Sequence, residues 1–178
     1  MHYQLKHIQM KLELKNIKIN EAFTEETLMF KADLFVDGKK VAYANNDGHG
    51  GCTNYNAYEG QREALKRAEE YALTLPSTFH EFGGKTHEFK SSLESWIDDT
   101  VNKIADEKNK AKFLKKMQKD METKIVFGVP DSGSYRMLGF KSKAKLTELS
   151  QGSINSLVLA VKAQMKPNEV IFNKNITI

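Results

Sequence analysis

The chain has 178 residues, of which 40% are hydrophobic and 28% are charged, and this composition fits a soluble domain that buries its own core. One cysteine excludes an internal disulfide and a thiolate-only zinc site, and it fits a reducing compartment. The formal net charge of +4 permits an acidic partner without demanding one, and the absence of a run of about 18 apolar residues argues against a membrane span.

The first third of the chain predicts a three-stranded antiparallel meander. Polar and apolar residues alternate from Ile8 to Lys15, without the continuous apolar stretch of a secretory signal, so none is expected. The alternation returns over 28–36 and resumes after Asp37-Gly38, a strong hairpin signal because both residues accept positive φ. Residues 4–45 are therefore expected to form a sheet with one apolar face that needs a cover.

Helices are expected to provide that cover. Apolar residues recur at three- and four-residue steps over 58–75, and Pro76 ends this pattern. A loop over 77–87 leads to a second helical pattern over 93–104 and a third over 111–121. The polar stretch DEKNK between the last two is either a turn or the exposed middle of one long helix.

The last third predicts two strands, a helix and a final strand. The segments TKIVFGV and SYRMLGF flank the turn PDSG, an apolar helical stripe follows over 154–165, and EVIF ends the pattern. The whole arrangement is α+β, with a meander covered by helices and then a small β-β-α-β portion. We expect a single domain over 1–178 with sub-lobes 1–122 and 123–178, because the pattern changes near residue 123.

The stretch NNDGHGGCTNY is the leading candidate site. Backbone N–H groups in a glycine-rich turn can hold an anion, and the helix expected to begin near Ala57 would add its positive end. Alternatively, the glycines only supply unusual φ values and the Asn and Asp side chains bond their own backbone. Its spacing matches neither of the common phosphate-binding motifs. The candidate ligand- or partner-binding residues are Asn45, Asn46, Asp47, Gly48, His49, Gly50, Gly51, Asn54 and Tyr55.

Signals for catalysis and for metal binding are weak. His49 precedes Cys52 by three residues, and a nearby histidine can activate a thiol, but residues adjacent in a loop seldom reach that geometry. Asp98 and Asp99 are adjacent on a predicted helix, do not face each other, and are expected to be solvated. We therefore predict no catalytic residue, no metal site and no cofactor. The other potential ligands, which lack zinc-site spacing, are Asp47, His80 and His87.

The strongest electrostatic feature is the run KNKAKFLKKMQKDMETK. On a helix, five of its lysines share one face, which either contacts phosphates or is a solvated face whose methylenes cover the core edge. No aromatic residues interleave with these lysines in the way that stacks bases. The face comprises Lys108, Lys112, Lys115, Lys116 and Lys119, and a second basic segment contains Arg136, Lys141, Lys143 and Lys145.

The first third also resembles a group of small bacteriophage, prophage and plasmid accessory proteins of uncharacterised activity. They share an N-terminal signature of the form ET..F.A...DGK...N.G.GG..Y. In this chain it falls on Glu26, Thr27, Phe30, Ala32, Asp37, Gly38, Lys39, Asn46, Gly48, Gly50, Gly51, Asn54 and Tyr55. The resemblance implies an accessory protein that acts on host machinery by binding, and it carries no catalytic role with it.

Three functions of different classes follow as expectations. The first is a non-enzymatic protein of the host cytosol that binds a host protein, as an inhibitor of an antiviral defence system such as a CRISPR effector. The second is a nucleotide or nucleic-acid binder that uses the glycine-rich loop and the lysine faces. The third is a small hydrolase or nuclease centred on Asp47, His49 and Cys52.

Overall fold

The structure is a computed structural model that describes residues 10–177. Antiparallel sheets and separate helices confirm the predicted α+β class. The chain divides into two compact units on either side of Ala105 and Asp106. Ile8, which opens the first predicted strand, lies outside the described residues.

The first unit is built on an antiparallel meander with four strands where three were predicted. Strands β1 (Leu12–Ile19), β2 (Phe30–Val36) and β3 (Lys39–Asn46) pair in chain order, and β4 (Asn54–Ala57) pairs with β3. At the turn between β2 and β3, Asp37 has a φ of 49° and Gly38 a φ of 80°. Positive φ at both positions is the geometry that the Asp-Gly pair predicts.

The fourth strand delays the start of the first helix. The sequence pattern predicted a helix from near Ala57, but the backbone of Ala57 is still paired with Ala42 in β3. Gly60 then reverses the chain with a φ of 71°, and helix α1 runs over Arg62–Ala72. A glycine at this turn avoids the steric cost that a Cβ would add at positive φ.

The apolar face of the meander packs against α1 and the first turns of helix α2 (Leu93–Met121). Leu34 of β2, Ala68 of α1 and Ile97 of α2 have no accessible surface. Complete burial of one large aliphatic side chain contributes about 1.5–3 kcal/mol, so these contacts hold the helices on the sheet. The two helical patterns over 93–121 form one continuous helix, and DEKNK is its exposed middle.

A separate two-stranded hairpin occupies the region that was predicted to be a loop. Strands β5 (Thr78–Phe82) and β6 (Lys85–Phe89) pair in register around Gly83 and Gly84. The two glycines have φ values of 58° and 73°, which suit a tight two-residue hairpin turn. All ten strand residues are exposed, so neither face shows the buried apolar row by which a strand is usually predicted.

The second unit has the predicted β-β-α-β order. Strand β7 (Lys124–Gly128) lies between β8 (Arg136–Gly139) and β9 (Val170–Ile171), antiparallel to both, and helix α3 (Gln151–Lys162) joins β8 to β9. Ser150 caps α3 by accepting a hydrogen bond from the backbone N–H of Ser153. The unit has a core of its own, formed by Ile125, Phe127, Leu146, Ile154, Leu157, Val158 and Val161.

The helices of the described part of the chain do not have the character of membrane-spanning segments. Among residues 10–177, only α2, with 29 residues, exceeds the length of about 20 residues that a span requires, and charged side chains recur along it. No helix among residues 10–177 combines the length and the apolar content needed to cross a membrane.

Candidate functional site

Asn46 forms the centre of the glycine-rich loop. Its side chain is 5% exposed, and both ends of its amide group are hydrogen-bonded. Oδ1 accepts from Thr27 Oγ1 at 2.8 Å and from Gly48 N at 2.9 Å. Nδ2 donates to Gly51 O at 2.9 Å and to Thr53 Oγ1 at 3.2 Å. Because an amide offers two donors and two acceptor lone pairs, these four bonds use its full capacity.

The segment 25–27 closes on this loop from the other side. The carbonyl oxygen of Gly48 accepts hydrogen bonds from three successive backbone N–H groups, those of Glu25, Glu26 and Thr27, at 3.0, 3.1 and 3.3 Å. Gly50 N donates to Thr27 Oγ1 at 3.1 Å. The Glu-Thr, Asn and Gly positions of the signature thus meet in one place. Their shared contacts support a packed, structural turn, in which the polar groups bond each other.

His49 lies on the exposed side of the loop. Its Nδ1 contacts Glu25 Oε2 at 3.1 Å, and its backbone N–H donates to Asp47 Oδ1 at 3.2 Å. The hydrogen bond with Glu25 raises the pKa of His49 above its ordinary value. The stabilisation from this pair is therefore complete below the ordinary histidine pKa and is lost as the pH rises through the raised pKa. Cys52 is exposed as well.

The remaining predicted loop residues belong to the sheet. Asn45 and Asn54 face each other as cross-strand partners in β3 and β4. Tyr55 is half-buried against the core of the first unit, and this burial, together with the charge of Glu69, raises the pKa of its hydroxyl. Within residues 10–177, no group of three or more His, Cys, Asp or Glu side chains is placed to hold a metal ion.

The loop is fastened to α2 through Thr53. Thr53 N donates to Glu94 Oε1 at 3.0 Å, and Thr53 Oγ1 donates to Asp98 Oδ1 at 2.5 Å. Asp98 is half-buried beside a cavity of about 230 Å³ that Asn46 also lines, so the prediction that it is solvated was wrong. The reason is a tertiary contact: β4 and the loop cover this turn of the helix, which the helical pattern alone does not show.

Burial is the main cause of an unusual titration at Asp98. It raises the pKa of the Asp98 carboxyl, the hydrogen bond from Thr53 lowers it, and the carboxylates of Glu94 and Asp99 raise it further. The net direction is upward. The folded state thus holds the proton more tightly than the unfolded state, and the ionised carboxylate costs stability at neutral pH.

We expect Asp98→Asn to stabilise the protein at pH 7. The amide keeps an oxygen that accepts from Thr53 and removes the charge, and the gain is under about 1 kcal/mol after solvent screening at this half-exposed site. The gain should shrink as the pH falls through the raised pKa and vanish below the ordinary aspartate pKa of about 3.9. Urea denaturation at several pH values measures it. The exposed neighbour Asp99→Asn is the control, and an equal gain there would contradict the assignment to burial.

The β5–β6 hairpin carries an exposed aromatic face that the sequence interpretation missed. His80 and His87 lie directly opposite each other, and Phe82 and Phe89 lie on the same side of the hairpin. The rings form a contiguous row: centroids are 5.4 Å apart for His80 and Phe89 and 6.3 Å apart for Phe82 and His87. Aromatic residues at two-residue spacing on both sides of Gly83-Gly84 were the available signal.

The five lysines predicted to share a face all lie on one helix, α2, and are exposed. Phe113 and Met117, on another side of the same helix, are partly buried. They line an apolar groove of about 510 Å³ together with Val129 and Phe172. The charged residues of that groove are Lys110 and Asp131, one of each sign, so the groove is distinct from the basic face.

Comparisons with protein-family models, with curated proteins and with solved structures give no significant match to this chain. The resemblance to phage and plasmid accessory proteins therefore stays a prediction.

Proposed function

We propose that this protein acts by binding another protein, and that the aromatic face of the β5–β6 hairpin, formed by His80, Phe82, His87 and Phe89, is its docking surface. The single observation that carries the proposal is the exposure of large aromatic side chains: Phe82 is 62% exposed and Phe89 is 49% exposed. Aromatic residues are enriched at protein interfaces and dominate their binding energy. A contiguous row of them on one exposed surface is a feature that soluble proteins ordinarily avoid outside interaction sites.

The construction of the hairpin supports the same proposal. A two-stranded hairpin without a packed face is marginally stable in water. Aromatic residues that stay in solvent add little to its stability, so a binding role accounts for them better. The outer edges of β5 and β6 also present unpaired backbone groups to which a partner strand can add. A partner that covers the aromatic face would remove apolar surface from water and could extend the sheet.

The hydrogen bonding and exposure of the polar side chains also favour a binding function over a catalytic one. Among the described residues, no buried side-chain nitrogen or oxygen lacks a hydrogen-bond partner. The acidic, histidine and cysteine side chains of the glycine-rich loop are exposed, and His49 is paired with Glu25. This arrangement lacks the enclosed pair of nucleophile and base that nucleophilic catalysis requires.

The signature in the first third supports a choice of partner. Its resemblance to phage and plasmid accessory proteins favours a bacterial host protein met in the host cytosol. An antiviral defence protein, such as a CRISPR effector, is the first class to test. In this proposal the protein is an inhibitor that occupies a surface of its target and carries out no reaction of its own.

The test is a co-purification of the intact chain from bacterial lysate treated with nuclease, followed by affinity measurement with the purified partner. Phe82→Ala should weaken binding about thirtyfold or more, the loss expected for an interface hot spot worth at least about 2 kcal/mol. Phe79→Ala is the matched control, because Phe79 is 65% exposed on the opposite face of the same strand. Its affinity should stay within threefold of the unsubstituted protein.

Two results would contradict the proposal. One is equal affinity of the Phe82→Ala and unsubstituted proteins for the purified partner. The other is recovery of no protein partner after nuclease treatment from any lysate that contains the defence systems tested.

A further inference from the structure

The charge of this protein is concentrated in one of its two units. Residues 106–178 contain 14 Lys and Arg against seven Asp and Glu, a formal net charge of +7. Residues 1–105 contain 13 against 16, a formal net charge of −3. The overall value of +4 therefore conceals a strongly basic second unit. Such asymmetry between the parts of a chain is typical of proteins that bind nucleic acid.

The basic residues of α2 are arranged rather than scattered. Residues 108–119 contain six lysines and no acidic residue. At 100° per residue, Lys108, Lys112, Lys115, Lys116 and Lys119 fall within a sector of about 100°, and they extend over about 16 Å of helix length. The next acidic side chain, Asp120, is already engaged, since it accepts from Tyr135 at 2.8 Å and from Lys124 at 3.2 Å.

A second group of lysines lies in a loop that is hydrogen-bonded to the chain just beyond the C-terminal end of α2. The loop after β8 carries Lys141, Lys143 and Lys145, all of which are exposed. Leu146, the next residue, donates its backbone N–H to the carbonyl oxygen of Glu122 at 2.8 Å, one residue beyond the end of α2. This bond places the end of the 141–145 segment next to the C-terminal end of α2, near Lys119.

We propose that the second unit binds the phosphate backbone of double-stranded nucleic acid through this basic surface, formed by the five lysines of α2 and the three of the 141–145 loop. A row of cations along one rigid helix face matches the regular negative charge of a duplex, at one phosphate per about 1.7 Å of axis. The one aromatic residue of 108–119, Phe113, lies on another side of the helix and lines the apolar groove, so the lysine face of α2 offers no ring on which unstacked bases could stack, which favours a duplex over a single strand. Phe140 directly precedes the 141–145 loop and is 43% exposed, so a single strand is included in the test as the competing ligand. Lysine contacts to phosphates position a protein without reading sequence, so recognition is independent of base sequence.

The proposal goes beyond protein binding by the hairpin. It concerns another surface in another unit, and its test requires neither the hairpin nor a protein partner. Loss of either activity leaves the other measurable, so the two proposals fail separately.

The test is fluorescence anisotropy of the intact chain with a labelled 20-base-pair DNA duplex, an RNA duplex of equal length and the corresponding single strand, from 50 to 200 mM salt. Each phosphate contact contributes about −0.9 to the slope of the logarithm of the association constant against the logarithm of salt concentration. A variant with Lys108, Lys115, Lys116 and Lys119 changed to Gln should bind the duplex at least tenfold more weakly and show a shallower slope. The two duplexes distinguish DNA from RNA as the source of the phosphates.

The matched control changes four exposed lysines of the first unit, Lys18, Lys31, Lys39 and Lys66, to Gln. Both variants have a formal net charge of zero, so a difference between them reports position rather than total charge. The control should bind within threefold of the unsubstituted protein. The proposal is overturned by absence of duplex binding at 50 mM salt, by equal losses in the two variants, or by tighter binding of the single strand than of either duplex.

Discussion

Asn46→Ala is expected to lower the free energy of unfolding by about 3 kcal/mol, because truncation removes four hydrogen bonds, two of them buried, and an unsatisfied buried group costs about 1–3 kcal/mol. The groups left behind are the hydroxyls of Thr27 and Thr53, the backbone N–H of Gly48 and the carbonyl of Gly51. The loss is below the sum of the single costs, since the exposed part of the loop can relax toward water. Urea denaturation monitored by circular dichroism at pH 7 measures it.

Asn45→Ala provides the control for this prediction. Asn45 precedes Asn46 in β3 and is only partly buried, and its side chain makes no hydrogen bond to another residue of the described part of the chain. Its loss should be within about 0.5 kcal/mol, the range of ordinary surface substitutions. The contrary result is that both variants are equally stable and that Asn46→Ala alone loses binding of an anion or a partner. The loop would then be a ligand site, and its internal hydrogen bonds would contribute little to stability.

The α+β class and most of the pairing could be predicted because those parts bury one face. Polar and apolar residues alternate over 28–36 because one face of the sheet is buried. The turn is recognisable because Asp37 and Gly38 both accept the positive φ that it requires. The stripe over 154–165 likewise predicts α3, whose buried residues recur at helical spacing. In each case a local pattern and a tertiary contact point to the same structure.

The elements that sequence reasoning missed lack such a buried pattern. Strand β4 has the sequence Asn-Tyr-Asn-Ala, with no fully buried side chain, and it is held by backbone pairing with β3. Both faces of the hairpin are exposed, so its polar and glycine-containing sequence predicts a loop. Only the two-residue spacing of its aromatic residues indicates a strand. Burial of Asp98 depends on Thr53, 45 positions away, and no local pattern records that contact.

Asp33, in a correctly predicted strand, is a further residue whose tertiary contacts the local sequence pattern does not show. Its place in the alternation predicts a solvated residue, yet it is 8% exposed and accepts hydrogen bonds from Asn16 at 2.7 Å and Tyr58 at 2.6 Å, with Lys40 at 3.0 Å. Burial alone raises the pKa of its carboxyl, but these partners outweigh burial and the net shift is downward. The bulge at Asn16, with a φ of 54°, helps to bring one of those partners into reach.

Gly48→Ala is expected to be the most destabilising single-methyl change in the glycine-rich loop, at about 4 kcal/mol. Gly48 has a φ of 92°, which costs a residue with a Cβ about 1–3 kcal/mol. The added Cβ would also lie 2.4 Å from the carbonyl oxygen of Phe23 and 3.1 Å from the Cβ of Met29. Backbone must move to relieve the first contact, and overpacking of this kind adds about 1–3 kcal/mol. Urea denaturation measures the loss, and if the variant does not fold, the yield of soluble protein shows the same direction.

Two neighbouring glycines separate the causes. At Gly50, with a φ of 87°, an added Cβ would meet the carboxylate of Glu26, which can move away, and would lie 3.3 Å from the Glu26 Cβ, which must shift by a few tenths of an ångström. Gly50→Ala should therefore lower the free energy of unfolding mainly through backbone strain, by about 1–3 kcal/mol. At Gly51 no atom lies within 4 Å of the added Cβ, so Gly51→Ala should be close to neutral. A loss of stability that decreases in the order Gly48, Gly50, Gly51 would show that these glycines are required by close atomic contacts and by positive φ. Equal stability of all three variants would remove that explanation and return the loop to the role of a ligand site.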